Sequence, residues 1–357
     1  MRGDGAVPAF PEQLRARPSL GRGRLIRTGK SSRMKEYPSI DCNKTRCPCR
    51  SLSMPTSRRR FLAGLAHTAT ALPFTSLQGA EAPENWVYLD NGTIRLGVKR
   101  SSGAGIAWLS ASGSKENLLD HFDHGRLIQQ SYYGKTDGSL WAGKPWRWNP
   151  VQGGDYQGTA AEVLELTHDR TTLRARIRPR NWAGGQLLTD CLMEQDIRLE
   201  GACAIVKFRF LYTGTETHPV IHHEVPAVFM NPRLTNLVHY QGDAPWTSGP
   251  LTKSQPGWPN ESRQIPESWA AYVNQDGIGA GVFVPIARSL TCYRFGATPE
   301  AVSACSYFAP VVQFAITPGL DFSYEAALAI GRPEDMRTTF AGLRSRLLTP
   351  ALPGAKP

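Results

Sequence analysis

The sequence lacks the motifs by which proteins commonly hold nucleotides or haem. It has no P-loop, no G-x-G-x-x-G segment after a predicted strand and no C-x-x-C-H. The run Asp120, His121, Asp123 and His124 offers oxygen and nitrogen ligands, but its spacing matches no zinc pattern, and an aspartate-capped turn is the favoured interpretation. We therefore expect neither a cofactor nor a metal.

An excess of charge is also missing after position 82. The formal net charge is +11, but 15 of the 41 basic residues and only 5 of the 30 acidic residues precede position 83. The remaining residues are almost balanced, with 26 basic and 25 acidic side chains. Binding to phosphates requires a basic surface that acidic groups do not offset, so the composition argues against a nucleic-acid partner.

Apolar runs long enough to cross a membrane are scarce near the start of the chain. The run over positions 63–77 is shorter than the roughly 18 apolar residues of a membrane span. It follows the letters SRRRFL, which begin at Ser57 and resemble a twin-arginine export signal, and it precedes an A-x-A cleavage pattern ending at Ala82. We expect the twin-arginine export machinery as a partner, cleavage after Ala82, a periplasmic or secreted protein and no stable membrane anchor.

The boundaries of the leader divide the chain into three parts. Residues 1–53 are rich in Arg, Pro and Gly and lack apolar periodicity, which indicates a disordered extension or a mis-assigned start before Met54. They contain Cys42, Cys47 and Cys49, whose spacing offers no second ligand pair for a metal. Residues 54–82 form the predicted signal peptide, and residues 83–357 form one domain.

Helical periodicity is scarce in this domain, and alternation of period two dominates. Leu173, Ala175 and Ile177 alternate with arginines, and further alternating runs begin near positions 94, 191, 206, 311 and 322. One helix is predicted from Pro333, with apolar residues at helical spacing up to Leu347. The sequence predicts an all-β fold, a large β-sandwich with a short C-terminal helix.

Four cysteines remain in this domain, at positions 191, 203, 292 and 305. An even number of cysteines in an exported protein can form disulfides, and small buried thiols fit strand-like runs equally well. Both readings stay open.

Two stretches carry more polar and aromatic residues than a buried sheet requires. Positions 121–158 contain three tryptophans, three tyrosines and the isolated ions Asp123, Arg126, Arg147 and Asp155 among glycines. Positions 221–229, IHHEVPAVF, place two histidines and a glutamate where a strand pattern predicts apolar residues. We expect the two stretches to meet at a ligand-binding surface.

In the second stretch, His222 and Glu224 are two residues apart and so share one face of a strand. His223 points the other way, and we expect it to be buried against a backbone carbonyl. Glu224 is the first candidate for a general acid or base, because apolar neighbours raise the pKa of a carboxylate, and His222 is the second. A salt bridge from Glu224 to Arg126 is the alternative.

Asp155 is the second candidate carboxylate. It lies between two glycines and Tyr156, on a turn whose backbone can approach a ligand closely. Two carboxylates that face each other across a sugar can cleave a glycosidic bond. The alternative is an aspartate that caps its own turn.

Arg126, Gln130 and Tyr132 are spaced to share one face of a strand over positions 125–133. A guanidinium, an amide and a phenol suit sugar hydroxyls or a sugar carboxylate. The same set admits a polysaccharide lyase, in which Arg126 neutralises a uronate and Tyr132 or His222 removes the α-proton. An ordinary exposed strand with polar side chains is the third reading.

Tryptophans in loop-like segments are candidates for stacking on sugar rings. Five lie in Gly- and Pro-rich surroundings, and we expect two of them to reach a ligand. The preferred substrate-binding candidates are Trp146, Trp148 and Trp246, together with Tyr156.

The segments NGTIRLGV, AGIAWLS and HGRLIQQSYYG follow one another between Asn91 and Gly134. In this order they resemble the opening of galactose-mutarotase-like proteins, and the resemblance implies a super-β-sandwich with a sugar-binding sheet. The segments from Gly125, Trp148 and Glu224 are also similar to GR-x-x-Q-x-SYY, WNP-x-Q-x-GDY and E-x-PAV in a group of secreted bacterial proteins. The N-H-[ST]-Y-F signature of the epimerases is absent, so the resemblance does not imply epimerisation.

These observations predict an exported carbohydrate-active enzyme that hydrolyses a glycoside with Glu224 and Asp155, on an oligo- or polysaccharide substrate. A polysaccharide lyase acting on uronate-containing glycans is the alternative enzyme. A periplasmic sugar-binding protein without catalysis is the alternative outside enzymes.

Overall fold

The computed structural model describes residues 85–347, 350 and 352–354. The extension, its cysteine cluster and the predicted signal peptide lie outside these residues. No helix in the described part of the chain has the length and apolar character of a membrane span.

Strands are the dominant regular structure of the described chain, as the alternating pattern predicts. The first eleven are β1 (Trp86–Asp90), β2 (Ile94–Lys99), β3 (Gly105–Ala111), β4 (Ile128–Ser131), β5 (Thr136–Trp141), β6 (Lys144–Arg147), β7 (Pro150–Val151), β8 (Glu162–His168), β9 (Thr172–Arg178), β10 (Arg180–Asn181) and β11 (Cys191–Glu200). The next ten are β12 (Cys203–Tyr212), β13 (Ile221–Met230), β14 (Asn236–His239), β15 (Thr252–Ser254), β16 (Glu261–Gln264), β17 (Trp269–Val273), β18 (Gly279–Phe283), β19 (Ser289–Phe295), β20 (Cys305–Phe314) and β21 (Asp321–Gly331). One α-helix, α1 (Pro333–Leu343), follows them.

The strands form two large antiparallel sheets and one hairpin. The ten-stranded sheet runs β1-β2-β3-β4-β13-β20-β19-β16, with β7 paired to β4 and β10 paired to β7. The nine-stranded sheet runs β15-β14-β17-β18-β21-β12-β11-β9-β8. Strands β5 and β6 form the separate hairpin. The prediction of an all-β sandwich is confirmed.

One hydrophobic core joins the inner faces of the two sheets. Ile106, Ile128 and Val228 of the ten-stranded sheet belong to the same buried cluster as Phe208 and Leu328 of the nine-stranded sheet. Along β9 the burial alternates residue by residue, so the arginines of this strand lie on the outer face. Because side chains alternate between the two faces of a strand, each sheet also has an outer face that does not contribute to this core.

Helix α1 covers part of the outer face of the nine-stranded sheet. It has a proline in its first turn and two acidic residues there, and it buries Met336, Phe340 and Leu343. The helix ends at Leu343, earlier than the apolar spacing predicts, although Leu347 still packs against the same cluster. Helix and sheet thus form a second, smaller apolar cluster.

Glu267 fixes this helix to the sheet. Its carboxylate has no solvent exposure and accepts hydrogen bonds from the indole nitrogen of Trp269 (2.9 Å) and the backbone nitrogen of Trp246 (2.6 Å). Arg337 of α1 forms a two-pronged ion pair with it, one prong being 2.9 Å from Nε to Oε2. The carboxylate therefore links three separate segments.

We expect Glu267→Ala to lower the free energy of unfolding by roughly 3–5 kcal/mol, because removal of one partner leaves the Arg337 charge without compensation. Urea unfolding measures the loss. The control is Glu334→Ala in the exposed first turn of α1, for which the helix dipole predicts a loss of about 0.3–1 kcal/mol. Equal losses in the two variants would contradict a structural role for the ion pair.

The four cysteines of the described chain are buried free thiols, at positions 191, 203, 292 and 305. Of the two readings that the sequence left open, the structure therefore has the reduced one. Burial raises the pKa of the Cys292 thiol to about 12, so it carries no charge near neutral pH.

Candidate functional site

The outer face of the ten-stranded sheet carries a third buried cluster, separate from the core. Its members come from β13, β19 and β20, and we call it the aromatic face: Ala227, Phe229, Tyr293, Cys305, Tyr307 and Ala309, with Trp258 and Phe295 packed against them. The outer side of a sheet at the surface of a sandwich does not require such residues. Its tyrosines are almost fully buried, whereas Trp258 and Phe295 are half-buried and are the aromatic rings at which a ligand with apolar faces can stack.

Glu224 of β13 lies at the edge of the aromatic face. Its residue exposure is only 9%. The hydroxyl of Tyr307 donates a hydrogen bond to its Oε1, and the hydroxyls of Tyr133 and Ser131 also bond the carboxylate. The site thus surrounds one carboxyl group with three hydroxyl groups from two neighbouring strands.

Burial raises the pKa of Glu224 above its ordinary value, although the hydrogen bonds from Tyr307, Tyr133 and Ser131 lower it. A carboxyl with a raised pKa can give up or take a proton nearer to neutral pH than an exposed one. Glu224 therefore has the electrostatics of a general acid or base.

The position of Glu224 follows from an irregularity in β13. Glu224 pairs with Ser131 of β4, but the next pair along these strands is Ala227 with Gln129, so the register shifts between them. Pro226 lies within the shifted segment and has no backbone N–H to contribute to a ladder. Such bulges turn side chains away from strict alternation and are common beside binding sites.

His223 lies on the inner side of β13, as predicted, and has no solvent exposure. Its Nε2 lies 3.0 Å from the carbonyl oxygen of Phe314 and its Nδ1 accepts a hydrogen bond of 3.1 Å from the backbone N–H of Tyr133. The second bond makes Nδ1 the acceptor, so Nε2 carries the proton. His223 therefore holds the backbone of the tyrosine that contacts Glu224.

His222 shares the outer face with Glu224, as the strand pattern predicts. Its Nε2 lies 2.6 Å from the side-chain nitrogen of Gln313, the residue opposite it on β20. No cause of the Glu224 pKa shift comes from His222. Its catalytic role stays a prediction.

Two arginines lie at opposite ends of the segment that contains β4. Arg126 precedes the strand, donates to the carbonyl oxygen of Ser303 (2.8 Å) and lies 3.6 Å from the carboxylate of Asp123. Arg147 ends β6 and acts electrostatically on Tyr133. The salt bridge from Glu224 to Arg126, the alternative for Glu224, is not formed, because Asp123 takes that place.

Asp155 lies on a turn, as predicted, and its carboxylate is bonded to the backbone of that turn. Its Oδ1 accepts hydrogen bonds from the backbone N–H groups of Gln157 (2.9 Å) and Thr159 (2.8 Å), so it caps its own turn. Among residues 85–347 no hydrogen bond or ion pair links it to Glu224. The structure therefore has the turn cap that was the alternative for Asp155, and its catalytic role stays a prediction.

Gln130 and Tyr132 lie on the face opposite to the predicted one. Both are completely buried between the sheets: Gln130 donates to the carbonyl oxygen of Glu194 (3.0 Å), and the Tyr132 ring stacks on Phe210 at 4.2 Å. The hydroxyl of Tyr132 is bonded to Gln130 itself. The outer-face position predicted for these two residues is therefore wrong, and Ser131 and Tyr133 lie on the side of Glu224 instead. The role of Gln130 and Tyr132 in substrate binding stays a prediction.

The predicted tryptophans are distributed over the molecule rather than gathered at one site. Trp148 stacks on His218 at 4.1 Å within the core, and Trp146 packs against Trp141 at 4.7 Å in the β5–β6 hairpin. Trp246 packs against Phe283 beside helix α1, on the outer face of the other sheet. Trp148 and Trp246 therefore belong to different apolar clusters, and the substrate-binding roles of the three tryptophans stay predictions.

Trp258 is the tryptophan that packs against the aromatic face. Its ring meets Tyr293 edge-on, with ring centroids 4.9 Å apart. Tyr156 is 39% exposed and lies beside Trp182 on the turn that Asp155 caps. The sequence could not separate Trp258 and Tyr156 from the other aromatic residues in loops, because composition does not show against which part of the protein a loop packs.

Three tyrosines of the site were not among the residues predicted from the sequence: Tyr133, Tyr293 and Tyr307. Tyr133 stands in the SYYG segment but was assigned to the opposite face. The two others lie in β19 and β20, where a tyrosine in an apolar run has no distinguishing signal. Burial raises the pKa of all three phenols well above the ordinary value, so they act as hydrogen-bond donors in neutral form.

The segment from Asp120 to His124 forms capped turns, as favoured from the sequence. Asp120 accepts a hydrogen bond from the backbone N–H of Phe122 (3.0 Å), and Asp123 accepts one from that of Gly125 (2.9 Å). Among the described residues, no group of three or more His, Cys, Asp or Glu side chains has an arrangement that could hold a metal ion.

Comparison with known proteins finds similar structures but no match by sequence. No family model matches the chain, and no curated protein matches it. A putative aldose 1-epimerase from Escherichia coli K12 is 14% identical, covers 69% of this chain and 98% of its own, and has a TM-score of 0.45. A galactose mutarotase-like protein from Lactobacillus casei is 10% identical, covers 69% and 99%, and has a TM-score of 0.47.

A 4-alpha-glucanotransferase from Thermococcus litoralis is 12% identical, with a TM-score of 0.41, and covers 69% of this chain and 37% of its own. Likeness at these scores carries no argument about ligand or activity. The function therefore has to follow from the chemistry of the aromatic face.

Proposed function

We propose that the protein is a carbohydrate-active enzyme that binds an oligo- or polysaccharide on the aromatic face and transfers a proton through Glu224. The observation that carries this proposal is a single buried carboxyl of raised pKa among three hydroxyl donors, on a sheet face that the core does not use. Export through the twin-arginine route and a periplasmic or secreted location are part of the same proposal.

The aromatic face suits a sugar for two physical reasons. Trp258 is half-buried and packs edge-on against Tyr293, so it offers an aromatic surface for the apolar face of a pyranose above the buried rings of Tyr293 and Tyr307. The hydroxyls of Tyr133 and Ser131 offer hydrogen bonds of the kind that sugar hydroxyls exchange. An apolar surface with a few polar groups directed at one point is typical of a small-molecule site.

Proton transfer can serve two reactions at this site. Glycoside hydrolysis uses Glu224 as the acid that protonates the leaving oxygen. Its partner carboxylate would be Asp155, which the sequence suggested, or Asp123, which like Glu224 acts on Tyr293. Elimination from a uronate needs one base and a cation to neutralise the sugar carboxylate.

A panel of neutral and uronate-containing polysaccharides, incubated with the exported protein, tests the proposal. A hydrolase releases reducing ends only, and a lyase also forms an unsaturated product that absorbs in the ultraviolet. A sugar-binding protein without catalysis would show neither product, while its Tm would rise with the ligand. The proposal expects turnover of at least one glycan; binding without turnover across the panel would contradict it.

A further inference from the structure

The strongest unexplained feature beside Glu224 is the guanidinium of Arg147. It is half-buried, and its two neighbours in the sequence, Trp146 and Trp148, are only 9% exposed. Among the described residues it forms neither a hydrogen bond nor an ion pair, although most half-buried arginines of the fold have a carboxylate or carbonyl partner. Arg126, for example, is held by Asp123 and Ser303.

The backbone fixes Arg147 next to the proposed site. The N–H of Gly134 donates to the carbonyl oxygen of Trp148 (2.7 Å), and the N–H of Trp148 donates to the carbonyl oxygen of Lys135 (3.0 Å). These bonds extend the β5–β6 hairpin back to the segment that carries Tyr133. Arg147 therefore acts on the Tyr133 hydroxyl, which itself bonds Glu224.

A half-buried cation without a protein counter-ion is less favourable than the same cation in water, because burial removes part of its hydration and no carboxylate compensates for that loss. An anionic ligand supplies the missing partner. The planar fork of a guanidinium binds a carboxylate through two parallel hydrogen bonds, which gives geometric selectivity as well as affinity. The Tyr133 hydroxyl on which Arg147 acts also bonds Glu224, so the guanidinium lies next to the proposed sugar site.

We propose that Arg147 binds the carboxylate of an acidic sugar, so that the substrate of the Glu224 site is a uronate-containing glycan. This inference rests on the proposed function for the ligand class, and it adds the specificity-determining residue. The trio Arg126, Tyr132 and His222 that the sequence suggested for a uronate is replaced, because Tyr132 is in the core and Arg126 already has its carboxylate.

Direct binding to four monosaccharides tests the inference: D-galacturonate, D-glucuronate, D-galactose and D-glucose, measured by calorimetry on the exported protein. We expect the wild type to bind at least one uronate about 10–100-fold more tightly than its neutral counterpart, as a charge-assisted pair implies. Arg147→Gln removes that preference and leaves neutral-sugar binding unchanged. Arg147→Lys keeps the charge but loses the fork, so it retains part of the preference.

The matched control is Arg174→Gln, which removes one positive charge from the outer face of the other sheet, where Arg174 pairs with Asp196. It is expected to leave all four affinities unchanged, and near-ultraviolet circular dichroism confirms that each variant is folded. A wild type that binds uronates no better than neutral sugars overturns the inference. An equal loss for both sugar classes in Arg147→Gln overturns it too.

Turnover separates this inference from the proposed function. If uronate binding depends on Arg147 but no glycan is turned over, the inference about Arg147 is supported and the proposed enzymatic activity is contradicted. If neutral glycans are turned over and Arg147→Gln does not change the rate, the proposed enzymatic activity is supported and the inference about Arg147 is contradicted. Absence of binding and turnover with every sugar overturns both.

Discussion

Glu224→Gln is expected to abolish turnover, with a loss of roughly 10²–10⁴-fold from the missing proton transfer alone. Glutamine keeps the shape of the side chain, and its carbonyl oxygen still accepts the hydrogen bond from Tyr307. Sugar affinity should therefore stay within a few-fold of the wild-type value. Initial rates and calorimetry on the same preparation measure the two quantities.

The pH dependence gives this variant a second readout. The pKa of Glu224 is raised above 4.5 in the folded protein, so its contribution to stability is fully present below pH 4.5 and is lost as the pH rises through the folded-state value. Glutamine does not titrate. Stability of Glu224→Gln relative to the wild type should therefore increase with pH above 4.5.

Wild-type turnover in Glu224→Gln would remove this residue from the mechanism. Ser131→Ala is the graded companion, because it removes one of three hydroxyls around the carboxyl and leaves the titrating group in place. Ser131 lowers the pKa of Glu224, so its loss should shift the corresponding limb of the pH–rate profile upwards. A structural role alone would leave that limb unmoved.

The sequence predicts the secondary structure correctly wherever burial of one side of an element makes apolar residues recur at a fixed spacing. Alternation in the segments of β9 and β12 and the apolar spacing after Pro333 follow directly from which side of each element meets the core. The burial of His223 could be predicted for the same reason. It is flanked by two residues that point outwards, and a buried imidazole needs a backbone partner.

The face assignment of the 125–133 segment was wrong for a specific reason. Arg126 was used to identify the outer face, but β4 begins only at Ile128, and Arg126 belongs to the turn that Asp123 caps. Side chains in a turn do not follow strand alternation. Counting by twos from Arg126 therefore placed Gln130 and Tyr132 outside and Tyr133 inside, the reverse of the structure.

The sequence pattern around Glu224 does not show which residues form hydrogen bonds with it. Tyr307 is 83 positions away in the sequence and meets Glu224 only because β20 pairs with β13. Alternation specifies a face of a strand, and it does not specify which strand lies next to it. Tyr133 and Arg147 likewise meet through the β5–β6 hairpin, whose register contains an irregularity.

His223 gives the second large effect, a loss of stability in acid. Burial lowers the pKa of His223 to about 3, against 6.5 for an unhindered imidazole. Its stabilising contribution is thus fully present above pH 6.5 and is lost as the pH falls towards 3, by up to about 1.4 kcal/mol per pH unit. Urea unfolding at a series of pH values between 7 and 4 measures the slope.

His223→Gln isolates this contribution, because an amide can still accept the N–H of Tyr133 and donate to the carbonyl of Phe314 without titrating. Its stability should fall less steeply than that of the wild type below pH 6.5, while His168→Gln, at an exposed position, should follow the wild-type slope. Protonation of His223 also removes the acceptor for Tyr133, so acid disturbs the core and the Glu224 site together. Parallel slopes for His223→Gln and the wild type would show that the buried imidazole does not link the two.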